Sequence, residues 1–141
     1  MSFGDSIATC FKKYAEFKGR ASRAEYWWFV LFSVLAYVAT AILATALENS
    51  VPSALVLLGL LLPGLSVAVR RLHDTGRSGW WYLIALIPFG SIVLIVFFAQ
   101  QGEANGNKYG PVPGRPLMPR ADTPPLPAPP PAKDTSGFSY P

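Results

Sequence analysis

Thiols and imidazoles are almost missing from this 141-residue chain, which holds one cysteine, Cys10, and one histidine, His73. One cysteine excludes an intramolecular disulfide, and one histidine with one thiol cannot assemble a Cys/His zinc site. No metal or other cofactor is therefore expected. Charge is also scarce, at 14% of residues, and it is absent altogether from three stretches, Trp27 to Leu47, Val51 to Val69 and Trp80 to Ala99. Those stretches hold 21, 19 and 20 residues, each close to the length that crosses a bilayer. A soluble domain of this size could not bury three of them, and the length leaves no room for a multidomain enzyme. The sequence is read as an integral membrane protein. Ala44, Thr45 and Ala46 resemble a signal-peptide cleavage site, but the apolar run before them is longer than a signal core, so it is read as a retained first span.

What charge there is lies between the apolar stretches. Phe3, Ile7, Cys10, Phe11, Tyr14 and Phe17 recur every three or four residues, which predicts an amphipathic helix with Ser2 and Asp5 as a capping box. Its aromatic face suits the headgroup zone or the protein's own spans, and periodicity cannot separate the two. Arg20, Arg23 and Glu25 then lead into Tyr26, Trp27 and Trp28, the composition of a membrane interface. Glu48, Asn49 and Ser50 form a tight connection between the first two spans. Pro63 in the second span and Pro88 with Gly90 in the third predict bends. Eleven of the 14 prolines fall between Pro111 and Pro141, so the C-terminal tail is expected to be disordered with polyproline character. Three spans place the leader and the second connection on one side, with eight Lys and Arg, against three near the tail. The positive-inside rule then predicts a cytoplasmic N-terminus and a periplasmic C-terminus.

The strongest polar cluster is Arg70, Arg71, His73, Asp74 and Arg77. On a continued helix Arg70, His73, Asp74 and Arg77 share one face. With Arg20 and Arg23 at the same level, the arginines are expected to line a cytoplasmic rim that binds anionic phospholipid or an acidic protein partner. The structural alternative is that they anchor the topology and pair with Glu25 and Asp74. Adjacent residues on a helix point about 100° apart, so His73 and Asp74 do not by themselves make a catalytic dyad. Thr75-Gly76-Arg77-Ser78-Gly79 lacks the ending of a phosphate-binding loop. The absence of an ionisable residue from every span weighs against an ion path.

Three blocks taken together carry a resemblance: Phe17-Lys18-Gly19-Arg20-Ala21-Ser22-Arg23-Ala24-Glu25-Tyr26-Trp27-Trp28-Phe29, Arg70-Arg71-Leu72-His73-Asp74-Thr75-Gly76-Arg77-Ser78-Gly79-Trp80-Trp81, and Asn107-Lys108-Tyr109-Gly110-Pro111. Over about residues 11 to 114 the chain resembles the small bacterial inner-membrane proteins called domain of unknown function 805. The resemblance implies a cytoplasmic-membrane location and a compact helical bundle, and it implies no activity. The long tail departs from that pattern.

The expected fold is an all-α membrane protein: an N-terminal amphipathic interfacial helix plus three transmembrane helices within residues 1–114, then a disordered proline-rich tail over 115–141. The expected function is non-enzymatic, with Arg20, Arg23, Arg70, Arg71, His73, Asp74 and Arg77 as the lipid- or partner-binding set. A transporter or channel component is the alternative, and a lipid-modifying enzyme using His73 comes third. The expected partners are the bilayer, anionic phospholipid and a protein, with nucleic acid excluded.

Overall fold

The N-terminal helix starts where the sequence places its cap. Asp5 N–H donates to Ser2 Oγ at 3.2 Å, and Ser2 N–H donates to the Asp5 carboxylate at 3.3 Å, a closed capping box. Helix α1 (Phe3–Lys12) turns Ser6 and Cys10 inward and sets Phe11 edge-on to Phe29 and Phe32, with ring centroids 6.1 and 6.0 Å apart. Part of its aromatic face therefore packs on the protein itself. The helix ends at Lys12, short of Tyr14 and Phe17, which the periodicity had included. The structure, a computed structural model, describes residues 1–115; apart from residue 115, the predicted disordered tail lies outside the described residues.

Helices α2 (Arg23–Ala46) and α3 (Val51–Asp74) form an antiparallel hairpin of 24 residues each. At 1.5 Å per residue each is about 36 Å long, enough to cross a hydrocarbon core of about 30 Å. They are the two helices among the described residues long and apolar enough for that. Their outer halves expose Leu35, Ile42, Leu55 and Leu58 by 55% or more, a surface stable only in a solvent as apolar as lipid tails. Pro63 sits buried inside α3 and leaves the Gly59 carbonyl without its helical donor. Tyr14 Oη supplies the missing hydrogen at 2.6 Å. The leader thus completes the backbone of a long apolar helix, as an apolar surround requires.

The third apolar stretch is where the expected architecture fails. Instead of one bent helix over 80–99, the chain makes a 3₁₀ segment (Gly79–Leu86), a sharp turn, and a ten-residue helix α4 (Gly90–Ala99). Pro88 brings no N–H, Phe89 takes a left-handed φ of 64°, and the Gly90 N–H donates to Ile87 at 2.9 Å. The two arms lie side by side, with Trp81 and Phe97 ring centroids 5.9 Å apart. At about 2.0 and 1.5 Å per residue the arms are roughly 16 and 15 Å long, half a hydrocarbon core each. Both ends return to the last turns of α3: Val69 packs against Gly79, and Arg71 Nε donates to the Phe98 carbonyl at 3.0 Å. The following residues lie at the same end of the α2–α3 pair as the leader, contrary to the expectation that they emerge opposite it. Two apolar clusters hold this arrangement, Cys10, Ala21, Phe29 and Val67 in one and Ala68, Leu72, Leu94 and Phe98 in the other. Tyr26 packs against both.

Candidate functional site

Helix α3 ends in Arg70, Arg71, Leu72, His73 and Asp74, and all five side chains are buried. A buried guanidinium needs both a counter-charge and filled donors, because desolvation removes several kcal/mol of hydration from it. Arg71 has both. Its Nη1 donates to Asp74 Oδ2, its Nη2 to the Gln100 carbonyl and its Nε to Phe98. Arg20, which precedes α2, places Nε 2.9 Å from Asp74 Oδ1. Its remaining nitrogens donate to the carbonyls of Glu103 at 2.7 Å and Asn105 at 2.8 Å. Asp74 is thus clamped between two arginines, and its own carbonyl accepts from Glu103 N–H at 2.9 Å.

Arg70 points elsewhere. Its Nη1 lies 2.5 Å from Glu25 Oε1, in a fully buried pair with Cys10 alongside. Its Nε and Nη2 have no partner among the described residues. Burial, and then the Glu25 carboxylate, push the Cys10 thiol up to about 11. The thiol therefore stays protonated at neutral pH and packs as a small hydrophobe.

His73 takes a third direction. Its Nδ1 is 3.0 Å from the Gly19 carbonyl, which only accepts, so Nδ1 carries the proton and Nε2 is the acceptor of the neutral ring. Tyr109 stacks on the ring at 3.9 Å with planes 2° apart, and Asn107 Nδ2 donates to the His73 carbonyl at 2.9 Å. His73 and Asp74 share no hydrogen bond, and among the described residues no carboxylate bonds the imidazole to orient a base.

The seven residues singled out in the sequence therefore do not form one rim. Arg20, Arg71 and Asp74 come together as a closed triad; Arg70 pairs separately with Glu25. Helix α3 ends at Asp74 and Gly76 takes φ +74°, so Arg77 leaves the shared face and lies 3.9 Å over the Phe97 ring. Arg23 alone of the seven is exposed to solvent. Glu103, Asn105 and Gln100, which supply carbonyls to the triad, carried no sequence signal, because a backbone acceptor leaves no trace in side-chain identity. The pairing of Glu25 and Asp74 with arginines was legible as the structural alternative.

Among the described residues no group of three or more His, Cys, Asp or Glu could hold a metal ion. The family described as "Protein of unknown function (DUF805)" matches residues 14–111. The inner membrane protein YhaI of Escherichia coli (strain K12) is 46% identical over 102 residues, covering 70% of this chain and 86% of that protein. The inner membrane protein YhaH of the same organism is 38% identical over 109 residues, covering 72% and 90%. No solved structure matches.

Proposed function

The chain belongs to the DUF805 family, and on that premise we propose a non-enzymatic inner-membrane protein that crosses the bilayer twice and presents a cationic cytoplasmic face to anionic headgroups. In this reading α2 and α3 span, and residues 79–99 form a re-entrant hairpin that reaches the midplane and returns. The leader and the segment after α4 both lie in the cytoplasm.

One observation carries the reading. Arg20 bonds Glu103 and Asn105, so the chain before the first span and the chain after the hairpin meet at one end of the helix pair. With that arrangement all ten Lys and Arg between Lys12 and Arg115 fall on one side, and the Glu48-Asn49-Ser50 connection on the other side carries none. That is a sharper positive-inside bias than three crossings produce. Re-entrant backbone is tolerated at membrane depth where its polar groups are satisfied by protein, and the turn supplies such bonds at Ile87, Gly90 and Ile92.

The buried arginines are engaged internally, so headgroup contact falls to the exposed Lys12, Lys18 and Arg23, the last beside the exposed Trp27 and Trp28. Their closeness to an anionic leaflet is worth about 1 kcal/mol per charge. Replacing Lys12 and Arg23 by glutamine should then lower the anionic phospholipid that co-purifies by roughly tenfold or more, with the melting temperature unchanged. Native mass spectrometry of the purified protein reads this; unchanged lipid would remove the cationic face from the function.

Topology is tested separately. A fluorescent protein fused after Gly114 should be bright, and alkaline phosphatase at the same site inactive. Active phosphatase there would mean three crossings and would sink the re-entrant reading.

A further inference from the structure

Two clefts open on the flank of this bundle and share a wall. The first, about 460 Å³, runs between α2 and α3 past Ser33, Tyr37 and Leu57. The second, about 490 Å³, lies between α3, the 3₁₀ arm and Phe17 of the leader, and includes His73 and Ser78. Leu65 and Tyr82 line both. From His73 to Val56 the pair of clefts follows α3 for about 25 Å, most of a hydrocarbon core.

Their lining is graded. The end toward the connection between α3 and the 3₁₀ arm holds a histidine and a serine, and the remainder is aliphatic and aromatic apart from Ser33 and tyrosine hydroxyls. Among the described residues, no Lys, Arg, Asp or Glu lines either cleft. An apolar pocket with a few polar groups at one end is the usual form of a small-molecule site. His73 lines that end, and with Nδ1 held by the Gly19 carbonyl the nitrogen left to a ligand is Nε2, an acceptor in the neutral ring. It also offers the Ser78 hydroxyl, whose oxygen already accepts from Trp80 N–H at 3.4 Å and whose hydrogen remains to be given. A neutral head that both donates and accepts, joined to a long apolar chain, matches these groups. A phosphate would enter without a cation to meet it, which in a partly dry cleft is unfavourable.

We propose that the joined clefts bind one long-chain lipid alcohol, with its hydroxyl between His73 and Ser78 and its chain along Leu65 and Tyr82 between α2 and α3. The proposal rests on the membrane placement argued above, since the chain end must open toward lipid. The chemistry is shared by diacylglycerol and by polyprenyl alcohols.

The test uses the full chain in vesicles of phosphatidylcholine doped with dioleoylglycerol, a polyprenyl alcohol or phosphatidylglycerol, followed by native mass spectrometry. One alcohol should be retained per chain in preference to phosphatidylcholine, whose headgroup donates no hydrogen bond, and phosphatidylglycerol held at the cationic face should be unaffected by filling the clefts. The ratio between diacylglycerol and polyprenol retention identifies the source. Ser78→Ala should weaken retention about fivefold, the worth of one hydrogen bond of about 1 kcal/mol, and Ser78→Thr should restore it. Leu65→Trp should abolish retention of every alcohol by filling the shared wall. Equal retention of phosphatidylcholine, phosphatidylglycerol retention that is lost in Leu65→Trp, or alcohol retention that Leu65→Trp leaves unchanged would each overturn the site. Should Leu65→Trp fail to melt cooperatively, a diazirine-bearing diacylglycerol on the unaltered protein decides: crosslinks within 26–37 or 56–83 support the site, and crosslinks confined elsewhere refute it. The phosphatase fusion is blind to these outcomes, so a wrong topology and a wrong ligand give different results.

Discussion

Asp74→Asn should lower the unfolding free energy by about 3–5 kcal/mol, the cost of leaving buried charge without its partner. The substitution keeps the shape of the side chain and removes only its charge, so packing loss does not enter. Two guanidinium groups then face one another across a neutral amide, Arg20 and Arg71, with side chains 1% and 0% exposed. Their bonds to the carbonyls of Phe98, Gln100, Glu103 and Asn105 remain. Carbonyl dipoles can satisfy the donors but cannot cancel two charges, so the loops that supply those carbonyls should loosen first. Thermal denaturation in detergent should show a large fall in Tm, and limited proteolysis should cut between residues 100 and 110 before the helices. Arg23→Gln, the exposed comparison, should stay within about 0.5 kcal/mol of the unaltered protein. A silent Asp74→Asn would mean that the triad is hydrated and that its burial contributes nothing.

Gly90→Ala should open the hairpin. A Cβ at Gly90 would stand 1.7 Å from the Ile84 carbonyl oxygen, a backbone atom that cannot swing away as a long side chain can. Relief requires the two arms to separate, which undoes the Ile87 and Gly90 turn bonds and the packing of Leu94 and Phe98 against Ala68 and Leu72. Overpacking with backbone displacement costs about 1–3 kcal/mol or more. Gly59→Ala is the matched control, since nothing lies within 4 Å of a Cβ there. It should be neutral or slightly stabilising, because alanine holds a helix better than glycine by about 1 kcal/mol. The measurement is the Tm of each variant together with the protection of residues 79–99 from protease in proteoliposomes. Equal behaviour of the two glycine variants would show that the close approach at the turn is not a constraint.

The long elements of this fold were legible because hydrophobic length and capping chemistry act locally. Ser2 with Asp5 fixes the first helix start through a hydrogen bond three residues apart, as read from the sequence; Ser22 with Glu25 fixes the second in the same way, a cap the sequence reading passed over. The uncharged runs beginning at Trp27 and Val51 fix the two long helices. The run from Trp80 has the same length and apolar character, yet it folds as two arms. Its length could not reveal this, because the deciding contact, Gly90 against Ile84, depends on three-dimensional closeness of backbone atoms. Pro88 and Gly90 marked the place of the break and left its angle open. The polar cluster was legible as a set of residue types and misread in exposure. Arginines at a span's end ordinarily reach toward headgroups, but here two carboxylates and a returning loop enclose them.

The enclosure also imposes an order on synthesis. Arg20 leaves the ribosome before either long helix, and the carbonyls that close over it follow 83 and 85 residues later. Throughout that interval the helix pair can form and insert while its cationic end stays open, because closing so long a loop must wait for the loop to exist. A chain halted at Ala99 would carry Arg20 and Arg71 without Gln100, Glu103 and Asn105, open to water or to any protease that surveys the membrane surface. Arrival of the segment from Gln100 to Gly110 is thus the step that closes the polar end: it brings the carbonyls that Arg20 and Arg71 bond in the finished fold.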